Sequence, residues 1–218
     1  MIPLKQEHFY HIYNRANGSE KIFLSDENYR FFLEKYQHYL SDYVNTYCYC
    51  LMPNHFHLLV SIKSEEEILK VLAHGEKTLP KFRTLEELVR EQNPARFEFL
   101  EKLVSKQFSN FFSSYSQAFN KQQKRMGSLF MKNFKRKLIS DEVYLKNLVQ
   151  YIHRNPVDAD ICDYPDEWKH SSYKSIIQQE KSFLMNEEVI SWFENKENFE
   201  YFHRRDLEFE DLLLFNGE

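Results

Sequence analysis

Two spacings of apolar residues alternate along the chain. Runs rich in aromatic and β-branched residues, the first of them His8-Phe9-Tyr10-His11-Ile12-Tyr13-Asn14, mark strands at 8–14, 44–52 and 55–62. Between the first two, Tyr29, Phe32, Leu33, Tyr36 and Leu40 recur at helical spacing behind Ser25, a good N-cap, with Asp26 and Glu27 in the first turn. Only Pro53-Asn54 separates the second and third strands, so they run antiparallel. Ser64 predicts a short helix through Glu65 to about Ala73. Residues 74–83, with Gly75 and Pro80, read as a loop, and Thr84 caps a short helix from Leu85 to about Glu91. A long helix follows from Pro94 to about Lys124, with Leu100, Val104, Phe108, Phe111 and Tyr115 inward, and Gly127 ends it. Residues 128–139 predict a fourth strand. Ser140-Asp141-Glu142 opens a helix that Asn155-Pro156 is expected to stop, because a residue before proline avoids helical geometry. Short helices are predicted at 186–195 and 205–215.

The order strand, helix, strand, strand, helix, strand predicts an α+β fold: a ferredoxin-like antiparallel sheet with helices on one face, plus helical C-terminal additions. Fold alone does not give function.

Charge changes this picture by its distribution. The chain carries 29 Lys and Arg against 33 Asp and Glu, a net charge of −4, which argues against a general polyanion binder. Yet no Asp or Glu occurs from Lys102 to Ser140, a stretch rich in Lys and Arg, whereas the segment after Asp163 is acidic. That asymmetry points to a local site for phosphates. The three cysteines, Cys48, Cys50 and Cys162, are an odd count and fit no disulfide frame. A zinc site of Cys48, Cys50 and nearby histidines matches none of the usual spacings. No apolar run is long enough to span a membrane, and no secretory signal opens the chain, so a cytoplasmic protein is expected.

Candidate chemistry centres on Pro53-Asn54-His55-Phe56-His57-Leu58-Leu59-Val60. On a strand His55 and His57 share a face, about 6–7 Å apart, while Phe56, Leu58 and Val60 take the other. Two neutral imidazoles at this spacing are able to hold one divalent ion; two exposed histidines on the solvent side of a half-buried strand is the plainer reading. If a metal is held, Tyr115 in Ser113-Ser114-Tyr115-Ser116-Gln117 is a candidate nucleophile towards a phosphodiester, against the alternative of a core aromatic with a bonded hydroxyl.

Several ordered motifs resemble the HUH single-tyrosine transposase family, in its REP-associated tyrosine transposase branch. They are His11-Ile12-Tyr13-Asn14-Arg15; Leu51-Met52-Pro53-Asn54-His55-Phe56-His57; Tyr115 with Phe119-Asn120; Gly127-Ser128-Leu129-Phe130 with Phe134-Lys135; and Tyr151-Ile152-His153-Arg154-Asn155-Pro156-Val157. The resemblance covers roughly residues 8–175 and leaves 176–218 as an acidic helical extension, packed on the nuclease domain or tethered to it. It implies a metal-dependent endonuclease and strand-transfer enzyme acting on single-stranded DNA beside hairpins. His55 and His57 would bind Mg2+ or Mn2+, and Tyr115 would become joined to a 5′ phosphate. Relatives use a polar third ligand about one helical turn after the tyrosine. Position 119 is Phe, so Asn120 is the expected ligand, with Gln122 as the other choice. His11 would support the site from behind, His153 would be structural, and Arg15, Lys132, Lys135, Arg136 and Lys137 would contact DNA phosphates. The competing readings are a module that grips hairpin DNA or RNA without cutting and, more weakly, a metal hydrolase of small phosphoesters. The protein would act as a monomer or a homodimer.

Overall fold

A computed structural model describes residues 2–74 and 94–205. The loop at 74–83 and the helix at 85–91 fall almost wholly outside these residues, as does most of 205–215. Four strands form one antiparallel sheet: β1 (Phe9–Arg15), β2 (Val44–Met52), β3 (His55–Ile62) and β4 (Lys135–Ile139), in the order β2-β3-β1-β4. With α1 (Asp26–Leu40) between β1 and β2, and α3 (Pro94–Gln122) between β3 and β4, this is the ferredoxin-like arrangement. The short helix α2 (Glu65–His74) opens on a reciprocal cap, in which Glu67 N–H donates to Ser64 Oγ at 3.3 Å and Ser64 N–H to the Glu67 carboxylate at 3.0 Å. Four more helices follow β4: α4 (Glu142–Asp158), α5 (Tyr173–Gln178), α6 (Asn186–Trp192) and α7 (Lys196–Arg204).

The pleat divides the sheet residues between two cores. Tyr10, Ile12, Phe56, Leu58 and Val60 pack beneath Phe32 and Tyr36 of α1 and Phe108 and Phe111 of α3. Cys48, Cys50, Met52 and Leu59 face the other way, under Leu148, Val149 and Ile152 of α4 and Val189 and Phe199 beyond it. The C-terminal helices thus cover the second face, and β3 is buried at every position after His55. Burial on both faces removes the inside–outside alternation of a half-exposed sheet.

The chain after α4 also covers the outer edge of β2. Ser172 N–H donates to Tyr49 O at 3.0 Å, Leu51 N–H to His170 O at 3.0 Å, and Met185 N–H to Thr46 O at 2.9 Å. An uncovered strand edge would invite pairing with another chain. A buried histidine ties the layers together, as expected of His153. Its Nε2 lies 2.8 Å from Ser172 Oγ and its Nδ1 2.9 Å from His203 Nε2 on α7.

Two elements depart from the sequence pattern. The fourth strand is confined to Lys135–Ile139, with an isolated bridge of Ala16 to Phe130 before it, because Asn133 turns left-handed (φ 62°) and breaks the ladder. Helix α4 does not stop at Asn155-Pro156 but carries Pro156 in its last turn, where the missing N–H costs a single ladder bond. That extra turn has a consequence for the site.

Candidate metal and nucleophile site

His55 and His57 do share a face of β3, with ring centroids 5.1 Å apart. Across the ladders His57 sits opposite Tyr13 and Cys50, and His55 opposite Arg15 and Met52. Tyr13 stacks on His57 at 5.7 Å and on His11 at 4.6 Å. His11 is fully buried, and its Nε2 lies 2.8 Å from Nδ1 of His57. Burial pushes His57 well below the ordinary imidazole range, and pushes His11 down to about 3, with Lys137 adding to the effect. His55 is lowered too, chiefly by desolvation, with a hydrogen bond to Asn155 acting in the other direction. All three are therefore neutral at pH 7, and each ring keeps one lone pair, which in His55 and His57 can face a cation.

The histidine face is roofed by α4, not α3. Tyr151 projects from α4 onto His57 with the rings edge-to-face at 5.3 Å, and its ring lies 6.2 Å from that of His11. One turn later Asn155 holds Oδ1 2.8 Å from His55 Nε2. Tyr151 and Asn155 stand four residues apart, so they occupy one helical face. They interact: burial raises the Tyr151 phenol, and a side-chain hydrogen bond with Asn155 pulls it back.

Tyr115 is placed elsewhere, which corrects the expectation that it is the nucleophile. It lies on α3, over the opposite face of the sheet, and is 1% exposed. Its hydroxyl donates to Ile22 O at 2.6 Å, and its ring packs against Phe32 at 5.1 Å and Phe23 at 5.8 Å. The whole sheet separates it from the imidazoles. Burial raises its phenol far above the usual value, with no cation to offset the rise. Asn120 is corrected with it. Its Nδ2 donates to Gly127 O at 2.9 Å and its Oδ1 accepts from Arg125 at 2.6 Å, so it ties down the end of α3. Gln122 accepts from Asn28 Nδ2 at 2.7 Å on that same side of the molecule.

The five expected DNA contacts divide between the faces. Arg15 and Lys135 are exposed beside the histidine row, and Lys137 lies over the Tyr144 ring at 4.9 Å, opposite His11. Lys132 is exposed at the end of the sheet. Arg136 faces α3 and donates to Ser105 Oγ at 2.8 Å.

Two imidazoles and an amide oxygen make a plausible donor set for a small divalent ion. Both ring nitrogens of His55 face amide oxygens, Nδ1 at 2.7 Å from Asn54 Oδ1, and the neutral tautomer that donates to Asn54 leaves a lone pair on Nε2. That lone pair faces Asn155 at the 2.8 Å noted above. Adjacent ligands of an octahedral ion with bonds of about 2.1 Å stand about 3 Å apart. Nδ1–H of His57 would donate to His11, freeing its Nε2 for the same ion, as metal-bound histidines are usually held. Two nitrogen donors suit Mn2+ better than Mg2+, which prefers oxygen. Among the described residues no group of three or more His, Cys, Asp or Glu forms a metal cluster, and the buried Cys50 beside His57 is a free thiol that burial pushes up. A metal site here relies on Asn155.

No protein-family model and no curated protein matches this sequence. One solved structure, described as "Structure of the REP associates tyrosine transposase bound to a REP hairpin", is similar to it at 12% sequence identity and a TM-score of 0.49. The likeness covers 82% of this chain and 84% of that one. At that level the comparison leaves the site to be argued from its own geometry, and that geometry sets a tyrosine and an amide, one helical turn apart, over a pair of neutral imidazoles.

Proposed function

We propose that the protein is a metal-dependent single-stranded DNA nicking and strand-transfer enzyme, with Tyr151 as nucleophile and His55, His57 and Asn155 as metal ligands. The observation that carries the reading is the placement of Tyr151 and Asn155 on one face of α4 above both histidines. A divalent cation held by these three residues would supply Lewis-acid polarisation of a phosphodiester oxygen and would favour the phenolate that burial alone disfavours.

The chain's own residues account for the rest. His11 fixes the tautomer and ring plane of His57, and Asn54 fixes His55. Arg15, across the ladder from His55, adds positive charge where a phosphate would approach. The site is most open at the His55–Asn155 end, since both are part-exposed while Tyr151 and His57 are each 6% exposed. The phenol of Tyr151 loses its proton and its oxygen bonds to phosphorus; the bond from phosphorus to the 3′ oxygen breaks, and that oxygen leaves as a hydroxyl. One phosphoester replaces another, so the 5′-phosphotyrosine can be attacked by a second 3′ hydroxyl and the strand rejoined.

The test is a denaturing gel of the full chain incubated with hairpin-bearing single-stranded DNA and Mn2+. A covalent adduct is expected with the unaltered protein and with Tyr115→Phe, and none with Tyr151→Phe. DNA binding without any adduct from the unaltered protein would leave a hairpin-gripping module in its place. Cleavage that survives Tyr151→Phe would leave a hydrolase.

A further inference from the structure

A second concave surface lies on the other face of the sheet, between α3 and the edge strand β4. Its volume is about 470 Å³, within the range of about 300–1,000 Å³ usual for small-ligand sites. One wall is a stripe of hydroxyls on α3, from Ser105, Ser109, Ser113 and Ser116. The other is the segment Gly127–Met131 with Phe134, and the floor carries Asn14 and Arg136.

The chemistry of this lining is selective. Among the described residues it contains no carboxylate, because the groove is built almost wholly from the acid-free stretch. Its one formal charge is the guanidinium of Arg136, held over the Phe134 ring at 5.0 Å and oriented by its bond to Ser105. Phe112, Phe130 and Phe134 back it as part of the aromatic core, each at most 8% exposed. A cation with hydroxyls beside it is what the phosphate backbone of a single nucleic-acid strand requires.

Position supplies an independent argument. Asn14 lines the groove, while its neighbours Tyr13 and Arg15 stand opposite His57 and His55 on the far face. Successive residues are 3.8 Å apart, so groove and histidine row meet at the same end of β1. The rim between them is held by Met131 N–H, which donates to Arg15 O at 3.0 Å, and by Asn14 Nδ2, which donates to Met131 O at 3.2 Å. It carries two exposed cations, Arg15 and Lys132.

We infer that this groove seats about one or two nucleotides of the single-stranded DNA flank, the strand crossing the rim at Arg15 and Lys132 to present its phosphodiester to the histidine face. The inference rests on the nuclease reading above and adds where the uncut part of the strand is held.

Ser109 is exposed on α3, and its hydroxyl donates only to the Ser105 carbonyl, so substitution there leaves the core intact. The experiment measures affinity of the full chain, in EDTA, for two labelled DNAs: a hairpin with a single-stranded flank and the same hairpin without it. Ser109→Glu is expected to weaken binding of the flanked hairpin by about tenfold and Ser109→Lys to tighten it by about threefold. Neither should change binding of the bare hairpin. Ser191→Glu, on an exposed position of α6, should change neither. Equal affinities for all variants, or shifts of the same size on the bare hairpin, would overturn the groove assignment. If the adduct at Tyr151 forms while Ser109→Glu binds normally, the groove fails and the chemistry stands. If the flank-dependent loss is seen without any adduct, the chemistry fails and the groove stands.

Discussion

Each face of the sheet carries a helix that presents a buried tyrosine, and the two tyrosines are opposites in chemistry. Tyr115 on α3 sits in an aromatic layer and donates a hydrogen bond to a backbone carbonyl. Its hydroxyl is satisfied, and every neighbour penalises a phenolate. Tyr151 on α4 is nearly as buried, yet its neighbours are two imidazoles and an amide, groups that can hold a cation beside it. Burial does not distinguish the two tyrosines; the lone pairs around them do.

The largest effect expected is on chemistry. Tyr151→Phe should reduce adduct formation by at least about a thousandfold, whereas Tyr115→Phe should leave it within about twofold. In a denaturant titration the second change should cost about 1–2 kcal/mol, because Ile22 O loses its buried donor. A Tyr115→Phe protein that folds but forms no adduct would reverse the comparison.

Metal affinity draws the same line less steeply. In Mn2+ titrations followed by electron paramagnetic resonance, His57→Ala and Asn155→Ala should each weaken binding by about a hundredfold, and His11→Ala by about tenfold. Asn120→Ala, on the other side of the sheet, should leave it unchanged.

Much of this architecture is legible in the sequence. The ranges of β2 and β3 follow directly from the tight turn at Pro53-Asn54, and the helical spacing of Tyr29, Phe32, Tyr36 and Leu40 is the inward face of α1. His11 behind His57 follows from strand alternation and register. What the pattern does not encode is which side of the sheet a helix takes. Tyr115 and Tyr151 both sit on inward stripes, and the acid-free run of α3 draws attention to Tyr115, on the face away from the histidines. The signal for the proposed nucleophile is present as Tyr151 and Asn155, four residues apart in a single motif. The expectation that Pro156 ends the helix hides it, by leaving Asn155 outside the helical face. Asn120 fails for a local reason, since the chain reverses at Gly127 and needs a side-chain tie there. The second-face packing of the C-terminal helices is equally hidden, because the acidic composition of that segment describes its solvent side.

Acid should break the two faces apart. Among the described residues, the buried histidines His11, His57, His153 and His203 all lie on the α4 side and none in the α1–α3 core. Burial lowers all four, His203 to about 4 and His11 to about 3. The unfolded chain titrates near 6.5, so below that value it binds more protons than the folded one. Stability is therefore complete above about pH 6.5 and falls as pH drops towards 4, by at most about 1.4 kcal/mol per pH unit for each histidine. Hydrogen exchange at pH 5 should show amides of α4 and α7 opening before those of α1 and α3; simultaneous opening would make the two layers one unit. The smallest effect belongs to Asn120→Ala, which should lower stability by about 1 kcal/mol or less through the loosened end of α3.

The division between the faces is tested most directly by locating the covalent bond. The full chain is incubated with Mn2+ and flanked hairpin DNA, digested with protease and nuclease, and read by mass spectrometry for a nucleotide-bearing tyrosine. The account predicts the phosphate on Tyr151, in the α4 peptide that also holds Asn155. A phosphate on Tyr115 would contradict it.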